Sequence, residues 1–203
     1  IGTGYGITAG AFTRYPEVTS IETIELLPFM IAQQPRFAEY NFALLSDPRV
    51  RLIQGDGRQR LAGSPRRFDI ISVNVLDPYL PGSASLYTVE FWQLARARLN
   101  PGGAYVQLFW GDDLPLLTKG LCQVFPTVLF FPAYGGSAFN VVAFAERLAP
   151  EQLPLQVARI GPAAAAALGE LLPGVEPMAY LTEEYWTAWT ISREFQRRAA
   201  QIS

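Results

Sequence analysis

The residues whose types and spacing could do chemistry begin at the front of this 203-residue chain. Gly2-x-Gly4-x-Gly6 runs through Ile7-Thr8-Ala9-Gly10 into a helical pattern, and Gly4, Gly6 and Ala9 fit a G-x-G-x-x-A spacing. Glycines in such a turn let the backbone approach a ligand closely, and a helix start behind them favours negative or polar groups. A tight structural turn would read the same way. Glu22 lies 16 positions past Gly6, after the short β-branched run from Val18 to Ile21. Its two acceptor oxygens are placed to bind a ribose diol. Glu25 fits instead a solvated acid at a helix start. Asp56, in Gly55-Asp56-Gly57, follows the apolar run Val50 to Ile53. A carboxylate there can accept a hydrogen bond from an exocyclic adenine amine, although Asp-Gly is also ordinary turn chemistry. The three positions each follow a successive strand and so converge on one sheet edge, where open α/β folds bind ligands. An adenosine-containing ligand is the reading they favour together.

Composition removes other chemistries. There is no histidine, which excludes Ser-His-Asp and Cys-His catalysis and His-based zinc sites. One cysteine, Cys122, allows neither an intrachain disulfide nor a thiolate metal cluster, so no metal is expected. Cys122 reads as a buried small hydrophobe. With 16 basic and 18 acidic side chains the net charge is −2, which gives no attraction to a phosphate backbone. Nucleic acid is therefore not an expected partner. Half of the residues are hydrophobic and 17% are charged, which excludes disorder. No stretch approaches the roughly 20 apolar residues of a spanning helix.

The elements that must position these groups alternate. Helical patterns cover Leu26 to Leu45, broken near Pro35, then Thr88 to Leu99 and Leu114 to Phe125. Strand-like runs are Val18 to Ile21, Val50 to Ile53, Phe68 to Val73 and Ala104 to Trp110. Phe68 to Val73 is apolar enough to be buried on both faces. Val128 to Phe131 and Phe139 to Ala145 suggest a terminal antiparallel pair. The pattern predicts an α/β, Rossmann-like, methyltransferase-type and mostly parallel sheet with helices on both faces. The nucleoside-binding domain covers residues 1–149. Residues 150–203, with five prolines and a final aromatic helical pattern, form a C-terminal helical appendage packed on the sheet.

The ensemble resembles the spermidine synthase (polyamine aminopropyltransferase) family. The resemblance is carried by Gly2-x-Gly4-x-Gly6 with Thr8-Ala9-Gly10, by Ile21-Glu22, and by Asp47-Pro48-Arg49-Val50 leading to Gly55-Asp56-Gly57-Arg58. Phe68-Asp69-Ile70-Ile71, Asp77-Pro78, Leu86-Tyr87-Thr88-x-Glu90-Phe91 and Leu99-x-Pro101-Gly102-Gly103 add to it. The phrasing is nearest to bacterial domains often fused to membrane transporter-like segments. The resemblance implies decarboxylated S-adenosylmethionine as co-substrate, aminopropyl transfer to a small-molecule amine such as putrescine, and release of methylthioadenosine. Carried over by position, Gly2, Gly4, Gly6 and Gly57 would lie against the nucleoside, Glu22 would hold the ribose and Asp56 would contact the adenine.

The resemblance also implies two acids spaced D-x-x-D in the loop after the fourth strand, the first taking the amine's proton and the second holding the cationic substrate. Here the loop reads Asn74-Val75-Leu76-Asp77-Pro78. Asp77 matches the second acid, and Asn74 stands at the position of the first. An amide orients an amine but does not accept its proton at neutral pH. Two alternatives therefore stand beside aminopropyl transfer: a non-catalytic relative serving as ligand sensor or structural subunit, and a methyltransferase using S-adenosylmethionine. Of the strand that should precede the glycine loop only Ile1 is present. The expectation is a longer chain, whose N-terminal region supplies that strand and a β segment. That region could carry a homodimer contact or a membrane-fused partner. The expected location is cytoplasmic, as the soluble domain of a membrane-associated protein.

Overall fold

The structure is a computed structural model that describes residues 1–75, 78–80, 82–110, 114–133 and 138–149, with 166, 188, 191–193 and 196–197. Its elements are α1 (Ile7–Thr13), β1 (Ile21–Glu25), α2 (Pro28–Gln33), β2 (Val50–Gln54), α3 (Gly57–Gly63), β3 (Phe68–Val73), α4 (Val89–Ala97), β4 (Leu99–Trp110), α5 (Leu114–Val124), β5 (Thr127–Ala133) and β6 (Ala138–Phe144). Strands β1 and β2 pair in parallel, Ile21 opposite Val50 and Glu25 opposite Gln54. The other four form a mixed sheet in the order β3-β4-β6-β5. Within it β3 and β4 are parallel, and β6 is antiparallel to both neighbours. This is a Rossmann-like arrangement with the terminal antiparallel strands that the sequence suggested.

Helix α4 illustrates how the elements form. Thr88 caps it, its hydroxyl accepting from the Phe91 N–H at 3.2 Å, and Glu90 sits in the first turn, where the helix dipole favours a negative charge. Phe91, Trp92 and Ala95 form its buried face, against Tyr105 and Phe109 of β4 and Leu121 and Val124 of α5. Each large side chain so buried is worth about 1.5–3 kcal/mol. Gln107, in the middle of that core, is fully buried and satisfied: its Oε1 accepts from Trp92 Nε1 at 3.2 Å and from the Tyr105 hydroxyl at 2.5 Å, and its Nε2 donates to the Leu86 carbonyl at 3.3 Å. The described part of the C-terminal region meets β5, where the Phe130 N–H donates to Ser192 Oγ at 2.9 Å.

Two expectations need correction. The second strand of the sequence reading, Val18 to Ile21, lies almost wholly before β1, which begins at Ile21 and runs to Glu25. Nor is β3 buried on both faces: Asp69 is exposed and Ile70 is 46% exposed. The reason lies in the topology. Strands β1 and β3 are edges of separate sheets, and their edges border a cleft of about 440 Å³ lined by Ile21, Thr23 and Ile24 on one side and Ile70, Ile71 and Ser72 on the other. Among the described residues, Ile1 and Gly2 bridge it. The Ile1 nitrogen donates to the Ser72 carbonyl at 2.8 Å, the Asn74 N–H to the Ile1 carbonyl at 2.9 Å and the Gly2 N–H to the Ile24 carbonyl at 2.9 Å. Among the described residues no helix is long and apolar enough to cross a membrane.

Candidate nucleoside site

Hydrogen bonds converge on the loop from Gly2 to Gly6. Gly2, Gly4 and Gly6 all hold positive φ, at 78°, 54° and 82°, a region that costs side-chain-bearing residues energy. The Gly6 N–H donates to the Thr3 carbonyl at 2.8 Å and closes the turn. Thr3 and Thr23 then share a hydroxyl–hydroxyl hydrogen bond of 2.7 Å that ties the loop to β1. A Cβ added at Gly4 would meet nothing within 4 Å, and the same holds at Gly55 after β2. Open space therefore adjoins the backbone at the carboxyl ends of both strands.

The acid that reaches this loop is Glu25, not Glu22. Glu25 ends β1 and is buried, and its Oε2 accepts from the Gly4 N–H and its Oε1 from the Leu27 N–H, each at 3.0 Å. An ionised carboxylate has about four acceptor sites, so each oxygen keeps one for a ligand hydroxyl. Glu22 sits near the start of β1, where its Oε1 pairs with Arg66 Nη1 at 2.6 Å. The sequence reading placed the end of the strand three residues too early. A strand rises about 3.3 Å per residue, which sets the two Cα atoms roughly 10 Å apart along the strand, and three positions along it the side chains leave opposite faces.

The other expected residues fall as follows. Asp56 caps α3, its Oδ1 accepting from the Gln59 N–H at 2.9 Å, and it is exposed at the end of β2. Gly57 packs under the loop, because a Cβ there would run into the Ile1 side chain. Asn74 follows β3 beside the loop, and a Cβ at Gly2 would lie 3.3 Å from its carbonyl carbon and oxygen. Asp77 lies outside the described residues. Gly2, Gly4, Gly6, Gly57 and Asn74 are thus brought together with Glu25, while Glu22 is not. Tyr87 has a part the sequence reading did not give it: its hydroxyl donates to the Val75 carbonyl at 2.5 Å and anchors the loop after β3. The signal was its place in Leu86-Tyr87-Thr88, directly before the Thr88 cap.

A Rossmann-like sheet with a left-handed glycine loop and a buried carboxylate at the end of the next strand is the arrangement of methyltransferase-type folds. The spermine/spermidine synthase domain matches residues 1–123, and the chain belongs to that family. It is 27% identical over 164 residues to polyamine aminopropyltransferase 2 of Hyperthermus butylicus, covering 75% of this chain and 53% of that protein. It is 32% identical over 155 residues to the polyamine aminopropyltransferase of Corynebacterium efficiens, covering 70% of this chain and 30% of that protein. The chain thus spans about half the length, or less, of these relatives. Putrescine N-methyltransferase 2 of Nicotiana attenuata is 33% identical over 104 residues, 51% of this chain and 28% of that one. Among solved structures, a spermidine synthase in complex with the transition-state analogue AdoDATO superposes with a TM-score of 0.66 at 18% identity, covering 75% of this chain and 57% of that one. Human methyltransferase-like protein 13 in complex with SAH reaches 0.65 at 23% identity, covering 82% and 79%. These last two likenesses concern the fold.

Proposed function

We propose that this domain binds decarboxylated S-adenosylmethionine and transfers its aminopropyl group to a small amine. The observation that carries the reading is the junction of Glu25 with the glycine loop, in a chain of the spermine/spermidine synthase family. In this reading Glu25 takes the role that the sequence gave Glu22 and accepts from the ribose hydroxyls. Asp56 retains an oxygen for the adenine amine. The reaction is a displacement: the amine nitrogen bonds to the carbon beside the sulfonium, the carbon–sulfur bond breaks, and methylthioadenosine leaves neutral. The proton lost from nitrogen goes to water or to Asp77, because the Asn74 amide orients an amine but does not take a proton. Catalysis therefore rests mainly on positioning, for which effective molarities reach about 10⁵ M and above.

The amide at Asn74 supports a second reading, a non-catalytic relative that keeps the nucleoside site for sensing or assembly. Methylthioadenosine release separates the two. The protein is given decarboxylated S-adenosylmethionine and a panel of di- and polyamines. Amine-dependent release is the expected outcome, and the fastest amine identifies the acceptor. Donor binding without release, at any amine tested, would sink the transferase reading in favour of the sensor. We infer further that the cleft between β1 and β3 takes one parallel strand leading into Ile1, since Ile1 and Gly2 already bond to both of its edges.

A further inference from the structure

The glycine loop does not hold its shape alone. Its carbonyls at Gly4 and Tyr5 are taken inward by two side-chain amides, each only 1% exposed. Gln34 Nε2 donates to the Gly4 carbonyl at 2.6 Å and to the Met30 carbonyl at 3.1 Å. Asn41 Nδ2 donates to the Tyr5 carbonyl at 3.1 Å and to Gln34 Oε1 at 3.3 Å, while its Oδ1 accepts from the Leu44 N–H at 3.2 Å. Packing repeats the message. A Cβ at Gly6 would lie 2.5 Å from Gln34 Oε1 and 3.0 Å from Asn41 Nδ2, and one at Gly10 would overlap the Asn41 carbonyl. The two amides therefore touch the loop at Gly6, and the Asn41 main chain touches the following helix at Gly10, both places where only glycine fits.

Backbone strain accompanies the pair. Phe42 and Ala43, directly after Asn41, hold φ of 56° and 50°, and among the described residues no other non-glycine residue has positive φ. Each such residue costs about 1–3 kcal/mol and persists only where its surroundings over-determine it. Here two in succession turn the chain so that the Leu44 N–H reaches Asn41 Oδ1, which fixes the amide with its nitrogen toward the loop.

We propose that Gln34 and Asn41 are a positioning pair that sets the glycine loop for the nucleoside. They do so by drawing the Gly4 and Tyr5 carbonyls inward, which leaves the open side of Gly4 and the Gly4–Glu25 bond facing the ligand. This rests on the reading of the loop as the nucleoside site. Without the Gln34 donor, the Gly4–Tyr5 peptide, beside a glycine with open space around it, loses the hydrogen bond that holds its carbonyl inward.

The test titrates the 203-residue chain with methylthioadenosine by calorimetry between pH 4.5 and 8, with circular dichroism confirming the fold at each pH. Gln34→Glu keeps the shape and makes the donor titratable: protonated, the new side chain donates to Gly4; ionised, it sets a carboxylate against the Gly4 and Met30 carbonyls. Glu25, the acidic group bonded to the loop, is common to every protein compared, so the ratio to wild type reports the change at position 34. Gln34→Glu should bind within about threefold of wild type at pH 4.5 and at least about tenfold more weakly at pH 8, the loss of one hydrogen bond. Gln34→Leu should be weaker by about tenfold at every pH. A constant ratio of Gln34→Glu to wild type, or wild-type affinity in Gln34→Leu, overturns the positioning role while the nucleoside reading stands. Absence of binding by the wild-type chain overturns the nucleoside reading, and the pair's role with it.

Discussion

Two glutamates on one strand show what a residue's type can and cannot say. That an acid at the end of β1 faces the glycine loop was legible, because the loop, the strand and the acid recur at recognisable spacing. Which acid was not legible, because Glu22 and Glu25 differ only in where the strand stops. The β-branched run Val18 to Ile21 drew the strand too early, and the hydrogen bond from the Gly4 N–H to Glu25 is long-range. Asn74 and Cys122 carry predictions at this scale. Asn74→Asp supplies a proton acceptor and should raise the rate of methylthioadenosine release by about 10²-fold, the lower end of general-base contributions; an unchanged rate would favour the non-catalytic relative. Burial pushes the Cys122 thiol up to about 11. At pH 8 the thiolate is then scarce, and alkylation by iodoacetamide should run at least about 100-fold slower than for a free thiol, accelerating as pH approaches that value. Asp47 is held below the usual carboxylate range by its hydrogen bonds with Arg49, whose guanidinium also donates to the Thr13, Tyr15 and Val18 carbonyls. Its contribution is complete above the ordinary carboxylate pKa and is lost as pH falls through the lower folded value.

At the scale of elements, the apolar patterns of α4, α5 and β3 were read from sequence because their periodicity is plain there, and in α4 the Thr88 cap agrees with it. The segment from Leu26 to Leu45 was not. It reads as a helix broken at Pro35, yet α2 ends at Gln33, a 3₁₀ turn covers Gln34–Phe37, and another follows at Leu44–Ser46. Tertiary contacts decide it: Gln34 and Asn41 turn in to meet the glycine loop, and the strained Phe42 and Ala43 follow from that. Ala43→Gly relieves one left-handed residue at the expense of chain entropy and should raise the urea midpoint, by a net of up to about 1 kcal/mol. Gly10→Ala forces a methyl into the Asn41 carbonyl and should lower stability by about 1–3 kcal/mol, measured the same way. Equal midpoints for the two variants would contradict the packing described here.

The described residues form two sheets with a cleft between β1 and β3. The strand proposed to precede the glycine loop would take its register from the edges of that cleft. In parallel order, Ile1 lies between the Ser72 carbonyl and the Asn74 N–H, so one residue before it would lie opposite Ser72 and two before it opposite Ile71. Ile21 and Gly55 bond across to the β2 and β1 sides, which leaves the Glu22 and Ile24 amides facing the cleft. Adding four apolar β-forming residues ahead of Ile1 should slow hydrogen exchange at those two amides and raise the urea midpoint. The same extension with proline directly before Ile1, which removes a donor aimed at β1, should protect them less. Identical exchange in the two would argue against a strand in the cleft.

The central claim is that the nucleoside sits where the glycine loop meets the end of β1, and the two glutamates test it most directly. Calorimetric titration with methylthioadenosine compares the wild-type chain with Glu25→Gln and Glu22→Gln. Glu25→Gln removes a charged acceptor of the ribose hydroxyls and should weaken binding by at least about tenfold, as expected for hydrogen bonds to a charged group, while Glu22→Gln should change it by less than about twofold. The reverse order, with Glu22→Gln the damaging change, would place the nucleoside elsewhere and contradict the account.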